Sequence, residues 1–283
     1  MTRVDKARLI QDFLSIGLKE GDTILIRAGL GSVGRIEGGA NTFIDALLEV
    51  LGPEGTVVSL AFTNSYLFKR PRKNDAFDLA KKSYAGALPN AMMKRDNACR
   101  SKHPTCSYVA IGKHSKYLTQ DHDHMSGAYE PVRKIVQLSG KNILVGCVKS
   151  SPGFTTAHLA EGDLGMFSLN IFAGFVRVYY SDDSNNLCLF KRKDIGLCSN
   201  SFYKFYAHYV NEGVLAAGYV GGAYSIMAPA QECYAIERDV LTKNKKFNIC
   251  ESKDCFTCNA ARWDRVHHIP GYVLRRMYMK FKG

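Results

Sequence analysis

The chain has 283 residues, 46% of them hydrophobic and 23% charged, a balance typical of globular domains rather than disordered or fibrous chains. No apolar run approaches the roughly 18 residues that a spanning helix requires, so membrane insertion is not expected. With 38 Lys and Arg against 26 Asp and Glu the formal charge is +12, which favours anionic ligands; the basic residues are scattered and form no recognisable nucleic-acid motif, so no nucleic-acid partner is expected.

Met1 to Lys6 leads into an amphipathic pattern rather than a secretory signal, and a cytoplasmic protein is the expectation. The nine cysteines, odd in number and mostly inside apolar runs, read as reduced thiols. Val4, Leu9, Ile10, Phe13, Leu14 and Ile16 form a helical stripe over residues 3–18, with Gly17 placed for a left-handed cap. A strand at 22–26 opens into the Gly-rich loop Arg27 to Gly34, and the next helix buries Phe43, Ile44, Leu47, Leu48 and Leu51. Strand, loop and helix together can offer bare backbone N–H groups to an anion or an amide chain. Residues 57–63 form a second strand, and 64–83 read as a long, basic surface loop.

A helix begins near Gly86, and the connection after it carries Arg100-Ser101-Lys102-His103-Pro104. Arg100 and His103 can hold phosphate by charge-assisted bonds, with Ser101 and Ser107 adding hydroxyls. Residues 107–112 form a further strand. Asp121-His122-Asp123-His124 has the look of a metal cluster, but no third ligand follows at a closing spacing, and no catalytic metal is expected.

After the strand 142–147 comes Thr155-Thr156-Ala157-His158-Leu159-Ala160-Glu161. A threonine hydroxyl is expected to cap a helix there. His158 and Glu161, three apart, then share one face of its first turn. The positive end of the helix dipole favours an uncharged imidazole, and an uncharged imidazole oriented by a carboxylate is a candidate general base. Further on, a hairpin is expected over 176–190 around Asp182 to Asn186, and a helix over 200–213 ending at Gly213. In the tail, Cys250, Cys255 and Cys258 have ligand-like spacing. They suit a structural zinc with Cys233, His267 or His268 as the fourth ligand, and the run also has the spacing of a plant-type iron–sulfur segment.

Several of these blocks, in this order, resemble the aminoglycoside 3-N-acetyltransferase (antibiotic N-acetyltransferase) family: Leu51-Gly52-Pro53-Glu54-Gly55-Thr56, Arg100-Ser101-x-His103-Pro104-x-x-Ser107, and Thr156-x-His158-x-x-Glu161. The resemblance spans roughly residues 5 to 245. It implies an α/β/α sandwich with a central mixed sheet and an acetyltransferase domain over 1–249; the tail departs from the family, and a basic, Cys-containing extension over 250–283 packed on the same domain is expected. The resemblance further implies acetyl-CoA as co-substrate, with Leu30, Gly31 and Ser32 along the pantetheine arm and Arg100, Ser101, His103 and Ser107 toward its phosphates. The family usually shows His-Ser-Ser where this chain has Arg27-Ala28-Gly29, which removes two hydroxyls.

The function expected is acetyl-CoA-dependent N-acetyl transfer to an amino sugar, nucleotide-linked or from surface-polysaccharide synthesis, with His158 as base and Glu161 holding its tautomer. A true aminoglycoside acetyltransferase and a non-catalytic CoA or nucleotide-sugar binding protein are the alternatives. Cys147 as a nucleophile with His158 as its base is a third. The partners expected are a small-molecule amine and acetyl-CoA, with a homodimer as the assembly to test for.

Overall fold

The computed structural model describes residues 3–282. In chain order the first strands are β1 (Arg3–Val4), β2 (Thr23–Ala28), β3 (Arg35–Ile36), β4 (Thr56–Leu60), β5 (Cys99–Arg100) and β6 (Tyr108–Gly112). They are followed by β7 (Lys141–Val145), β8 (Val176–Ser181), β9 (Leu187–Arg192), β10 (Ala216–Val220) and β11 (Ala223–Pro229). The helices are α1 (Lys6–Ser15), α2 (Leu30–Val33), α3 (Ala40–Leu51), α4 (Ala87–Met92), α5 (Ser115–Thr119) and α6 (Glu130–Gln137). After these come α7 (Thr156–Asp163), α8 (Phe205–Asn211), α9 (Ala230–Lys243), α10 (Phe256–Ala260) and α11 (Ile269–Lys282).

The main sheet has seven strands in the order β10-β11-β7-β2-β4-β6-β5. Its centre is parallel, β2 lying between β4 and β7, while β11 and β6 join antiparallel on either side. This is the expected mixed sheet. Both of its faces are covered, which is why β2 and β4 read as unbroken apolar runs rather than alternating ones. Side chains still alternate by face. Ile24, Ile26, Ile143 and Val145 pack with Leu9, Phe13, Phe43 and Leu47 of α1 and α3. Leu25 packs on the other face with Val132, Ile135 and Leu159 of α6 and α7, and Leu144 with Ala157, Ala160 and Leu241 of α7 and α9. Three layers result.

Local chemistry sets the boundaries. Asp5 caps α1 through Arg8 N at 2.8 Å, and Gly17 ends it with φ of 98°. The hairpin β8–β9 forms as expected, in a separate two-stranded sheet. Asp182 closes its turn by accepting from the backbone of Ser184 and Asn186 at 2.9 and 2.8 Å. The segment 64–83, expected as a surface excursion, is pinned to that hairpin instead: Tyr66 bridges to Arg177 and Phe77 to Tyr180. Phe77 is buried as a result. After α9 the chain continues through α10 to α11. Arg262 is buried there and Ala261 accepts from Ile171 N at 3.1 Å, whereas Leu274 and Phe281 of α11 are 67% and 87% exposed.

Candidate active site

The carboxyl ends of the three parallel strands open into a cavity of about 630 Å³, the end of an α/β sheet at which ligands generally bind. Arg27 and Ala28 of β2, Ser59 and Leu60 of β4, and Cys147 just past β7 form its floor, and His158 of α7 faces it from the side. The return strand β9 leads into Arg192, Ile195, Gly196 and Leu197, which close it from above.

His158 and Glu161 come together as the spacing predicts, with Nδ1 and Oε2 2.8 Å apart. Glu161 is fully buried, and its other contacts are all from donors: Leu197 N reaches Oε2 at 3.1 Å and Asn248 Nδ2 bonds Oε1. A carboxylate surrounded by donors accepts from His158, which places the imidazole proton on Nδ1 and leaves Nε2 as the basic nitrogen. Nε2 makes no protein hydrogen bond among the described residues, and the His158 side chain is 16% exposed. Tyr129 stacks on the ring at 5.0 Å and Phe202 meets it edge-on at 4.7 Å. Gly196 passes so close that a Cβ there would lie 2.7 Å from His158 Nδ1 and 2.8 Å from Tyr129 Oη.

One expectation at this helix is corrected. Neither threonine caps it: Thr155 makes no capping bond, and the Thr156 hydroxyl donates to Glu237 Oε1 at 2.9 Å. The buried carboxyl of Glu237 competes for that hydroxyl. Desolvation pushes its acid well above the usual carboxylate range.

The replacement of hydroxyls at 27–29 has a structural consequence. Arg27 donates to Ser151 Oγ at 2.8 Å and to Gly153 O, tying down the loop that precedes α7. Burial lowers the guanidinium from its ordinary value, and it forms no ion pair among the described residues. Arg192, also in the lining, is ion-paired with Asp194 at 3.4 Å, and no Asp or Glu is among the described residues that line the cavity.

The seven residues expected along the cofactor fall outside this lining. Leu30 is half-buried, and Gly31 and Ser32 are exposed, on the short helix α2 that follows Gly29 at the cavity floor. Arg100 is committed to the chain itself: it donates to Leu79 O, Lys81 O and Ala61 O at 2.8, 2.5 and 3.0 Å, and to Ser107 Oγ at 3.2 Å. Ser101, His103 and Ser107 are fully buried. His103 Nδ1 accepts from Cys106 N at 3.0 Å, and Ser107 donates to Ala61 O at 2.7 Å. Ser101 Oγ accepts from Tyr108 N and contacts His122 Nδ1, each at 2.9 Å. His122 Nε2 lies 3.1 Å from Gly127 O, so both its nitrogens are taken by the fold. The His-Asp-His run accordingly has no imidazole nitrogen of His122 to give to a metal.

Cys147 lines the cavity, yet its Sγ points at Arg27 O from 3.4 Å and burial raises its thiol. That is the reverse of the activation a nucleophile needs. In the tail, Cys250, Cys255 and Cys258 do converge, but the fourth sulfur beside them belongs to Cys198. Cys233 is instead buried in the α7–α9 core, and His267 and His268 are not part of the group. Asn248, Leu197 and Gly196 escape sequence reading: no motif marks them, and Asn248 lies 87 positions from the carboxylate it holds.

The profile of the family described as aminoglycoside 3-N-acetyltransferase matches residues 25–242. Aminoglycoside N(3)-acetyltransferase VII of Streptomyces paromomycinus is 32% identical over 175 residues, covering 56% of this chain and 60% of that protein. Aminoglycoside N(3)-acetyltransferase III of Acinetobacter baumannii is 31% identical over 162 residues, 52% of this chain and 56% of that one. The chain thus spans about three fifths of the length of the curated relatives it matches. Among solved structures, AAC-IIIb with CoASH superposes with a TM-score of 0.72 at 23% identity, covering 86% of this chain and 97% of that one. The apoenzyme of AAC(3)-IVa superposes with 0.74 at 23% identity, covering 92% and 98%. These two likenesses establish the fold, and the profile match, which takes in most of β2 and the whole of β4, β7 and α7, establishes that the chain belongs to the aminoglycoside 3-N-acetyltransferase family.

Proposed function

We propose that the protein is an acetyl-CoA-dependent N-acetyltransferase that acts on an amino sugar by direct transfer. The observation that carries this reading is the position of His158: at the cavity, with Nδ1 held by Glu161 and Nε2 left to take a proton. Bound acetyl-CoA would supply the acyl group as a thioester. His158 removes a proton from the attacking amine and Glu161 stabilises the charge that then develops on the ring; as the C–N bond forms and the thioester C–S bond breaks, the proton on Nε2 passes to the departing thiolate. The Gly29 N–H is taken by Val145 O at 2.8 Å, so the backbone N–H groups of Leu30 and Gly31 at the start of α2, just past the cavity floor, are the candidate donors for a developing oxyanion. A second, open groove of about 1080 Å³ meets the cavity at Tyr84 and Gly86 and carries Lys82 and Lys94. This pairing of an enclosed end with a basic, open one fits a long cofactor with a reactive tip and a phosphorylated tail.

Electrostatics favour an acceptor that is not a polycation. Arg27 lines the cavity without an ion-pair partner among the described residues, Arg192 is paired with Asp194 at 3.4 Å, and no carboxylate is among the described lining residues, whereas an antibiotic with several ammonium groups calls for the opposite sign. An amino sugar carried on phosphate, such as a nucleotide-linked one, matches better. The Cys250, Cys255 and Cys258 group belongs to the same proposal as a structural metal site apart from the reacting atoms.

The test is thiol release from acetyl-CoA across a panel of amines, run on the wild type and on His158→Ala. Release that requires both an amine and His158 is expected, with phosphorylated amino sugars preferred. Efficient acetylation of kanamycin-like amines with no turnover of phosphorylated ones would overturn the acceptor class. Coenzyme A binding without turnover of any amine would point to the non-catalytic alternative.

A further inference from the structure

The sulfurs of Cys198, Cys250, Cys255 and Cys258 all lie within 4.8 Å of one another. Cys198 and Cys255 are 3.5 Å apart, far beyond the roughly 2.05 Å of a disulfide. Four thiolates around a zinc ion at about 2.3 Å would sit about 3.8 Å apart at the corners of a tetrahedron, which the observed group reaches with small adjustments. An iron–sulfur cluster needs room between its thiolates for inorganic sulfide, and this group is too tight for that. We propose that these four cysteines bind one zinc ion in a closed tetrathiolate site, and that the ion clamps together the two segments holding the Glu161 carboxylate.

The connectivity supports the second half. Cys198 directly follows Leu197, whose N–H bonds Glu161 Oε2, and Cys250 lies two residues after Asn248, whose amide bonds Glu161 Oε1. Further bonds tie the same two segments: Ser201 Oγ donates to Asn248 O, and Lys204 Nζ to Ile249 O at 2.9 Å. Arg262, just after α10, donates to Asn248 Oδ1 at 3.3 Å. Zinc binding releases the four thiol protons and leaves a site of net charge −2. All four coordination positions come from protein, so no position stays open for chemistry. None of the four cysteines lines the His158 cavity. The role is positional: the ion holds the segments, the segments hold Glu161, and Glu161 holds His158.

The experiment begins with metal analysis of the full chain purified without a metal-affinity step. One zinc per chain is expected. Cobalt exchange should give thiolate-to-cobalt charge-transfer bands and tetrahedral d–d bands. Cys198→Ala and Cys258→Ala should drop zinc at least tenfold, while Cys99→Ser, outside the group, leaves it at one. A mercurial titration of the wild type, free of any effect of substitution on folding, serves as the second arm: zinc release should track modification of four protected thiols. Absence of stoichiometric zinc, iron in its place, or a Cys198–Cys255 disulfide overturns the site. The positional role is read by NMR of the histidine-labelled protein, where the His158 Nδ1 proton signal should disappear on zinc removal. Persistence of that signal in zinc-free protein overturns the clamp. Neither readout depends on acetyl transfer, so failure here is separable from failure of the proposed activity.

Discussion

Asn248 and His158 never touch, yet they share one carboxylate: the Asn248 amide binds Glu161 Oε1 while His158 Nδ1 sits 2.8 Å from Oε2. Glu161 is therefore a buried hub with acceptors only, and each of its described contacts is a donor. Replacing it with Gln sets an amide NH₂ against one of those donors, which should cost about 1–3 kcal/mol of stability. The double variant Glu161→Gln with Asn248→Asp restores donor–acceptor matching, and Asp also suits the Arg262 contact. It should recover most of the denaturation midpoint and little of kcat, because the group beside the imidazole stays uncharged. Recovery of both together would deny Glu161 a part in the chemistry.

His158→Ala should lower kcat by about 10²- to 10⁴-fold, the usual range for a positioned base. Removal of the ring leaves space open to the cavity, so added imidazole should return part of the rate. A folded His158→Ala protein with wild-type turnover would remove the base from this histidine.

Gly196 tests geometry rather than chemistry. Its φ is not in the left-handed region, so the glycine is required by space: an added methyl meets His158 and Tyr129 at 2.7–2.8 Å. Gly196→Ala should displace the ring by a fraction of an ångström or more and reduce kcat by as much as about 10²-fold, with the fold retained by circular dichroism. Unchanged kcat would mean the ring has slack that the packing does not show.

What sequence could and could not reveal follows from the range of each contact. His158 and Glu161 are three apart on one helix, so helical geometry predicts their meeting. Leu197 and Asn248 reach the same carboxylate from 36 and 87 positions away, and only the packing of three segments brings them there. Cys198 is equally remote, 57 positions from Cys255, and the local spacing of the other three cysteines cannot point to it. The sheet centre was legible because β2, β4 and β7 are short apolar runs. The β10–β11 hairpin was not read, although Gly221-Gly222 marks its turn, since Tyr219 and Tyr224 put large exposed aromatics on the strands flanking it. Arg100 and His103 look like ligand-binding residues in sequence; in the fold the half-buried Arg100 donates to three backbone carbonyls and His103 is buried.

The stacked pair His103 and His122, 4.9 Å apart, should make the fold acid-sensitive. Burial pulls His122 down to about 4 and His103 well below the ordinary histidine range. In the unfolded chain both accept a proton near pH 6.5, so between that pH and about 4 the unfolded state binds more protons and stability falls as pH falls. For His122 the loss approaches about 3 kcal/mol. His122→Gln removes one titrating group, so urea midpoints measured from pH 7 to pH 4 should decline less steeply than in the wild type. Parallel declines would place the acid sensitivity elsewhere.

Glu237 predicts the opposite slope. It is fully buried, Thr156 and Tyr209 both donate to Oε1, and Oε2 has no partner. With its acid raised well above the usual value of 4.5 by desolvation, the folded state keeps a proton that the unfolded chain gives up. From about pH 4.5 up to the raised value, folding takes up a proton, so stability falls as pH rises at about 1.4 kcal/mol per pH unit. Glu237→Gln keeps an acceptor for Thr156 and Tyr209 and carries no charge to desolvate. Its denaturation midpoint should therefore match or trail the wild type at pH 5 and exceed it at pH 8. Superimposable pH dependences of the two proteins would show that Glu237 is ionised in the fold, and that a partner for Oε2 exists beyond the protein's own donors.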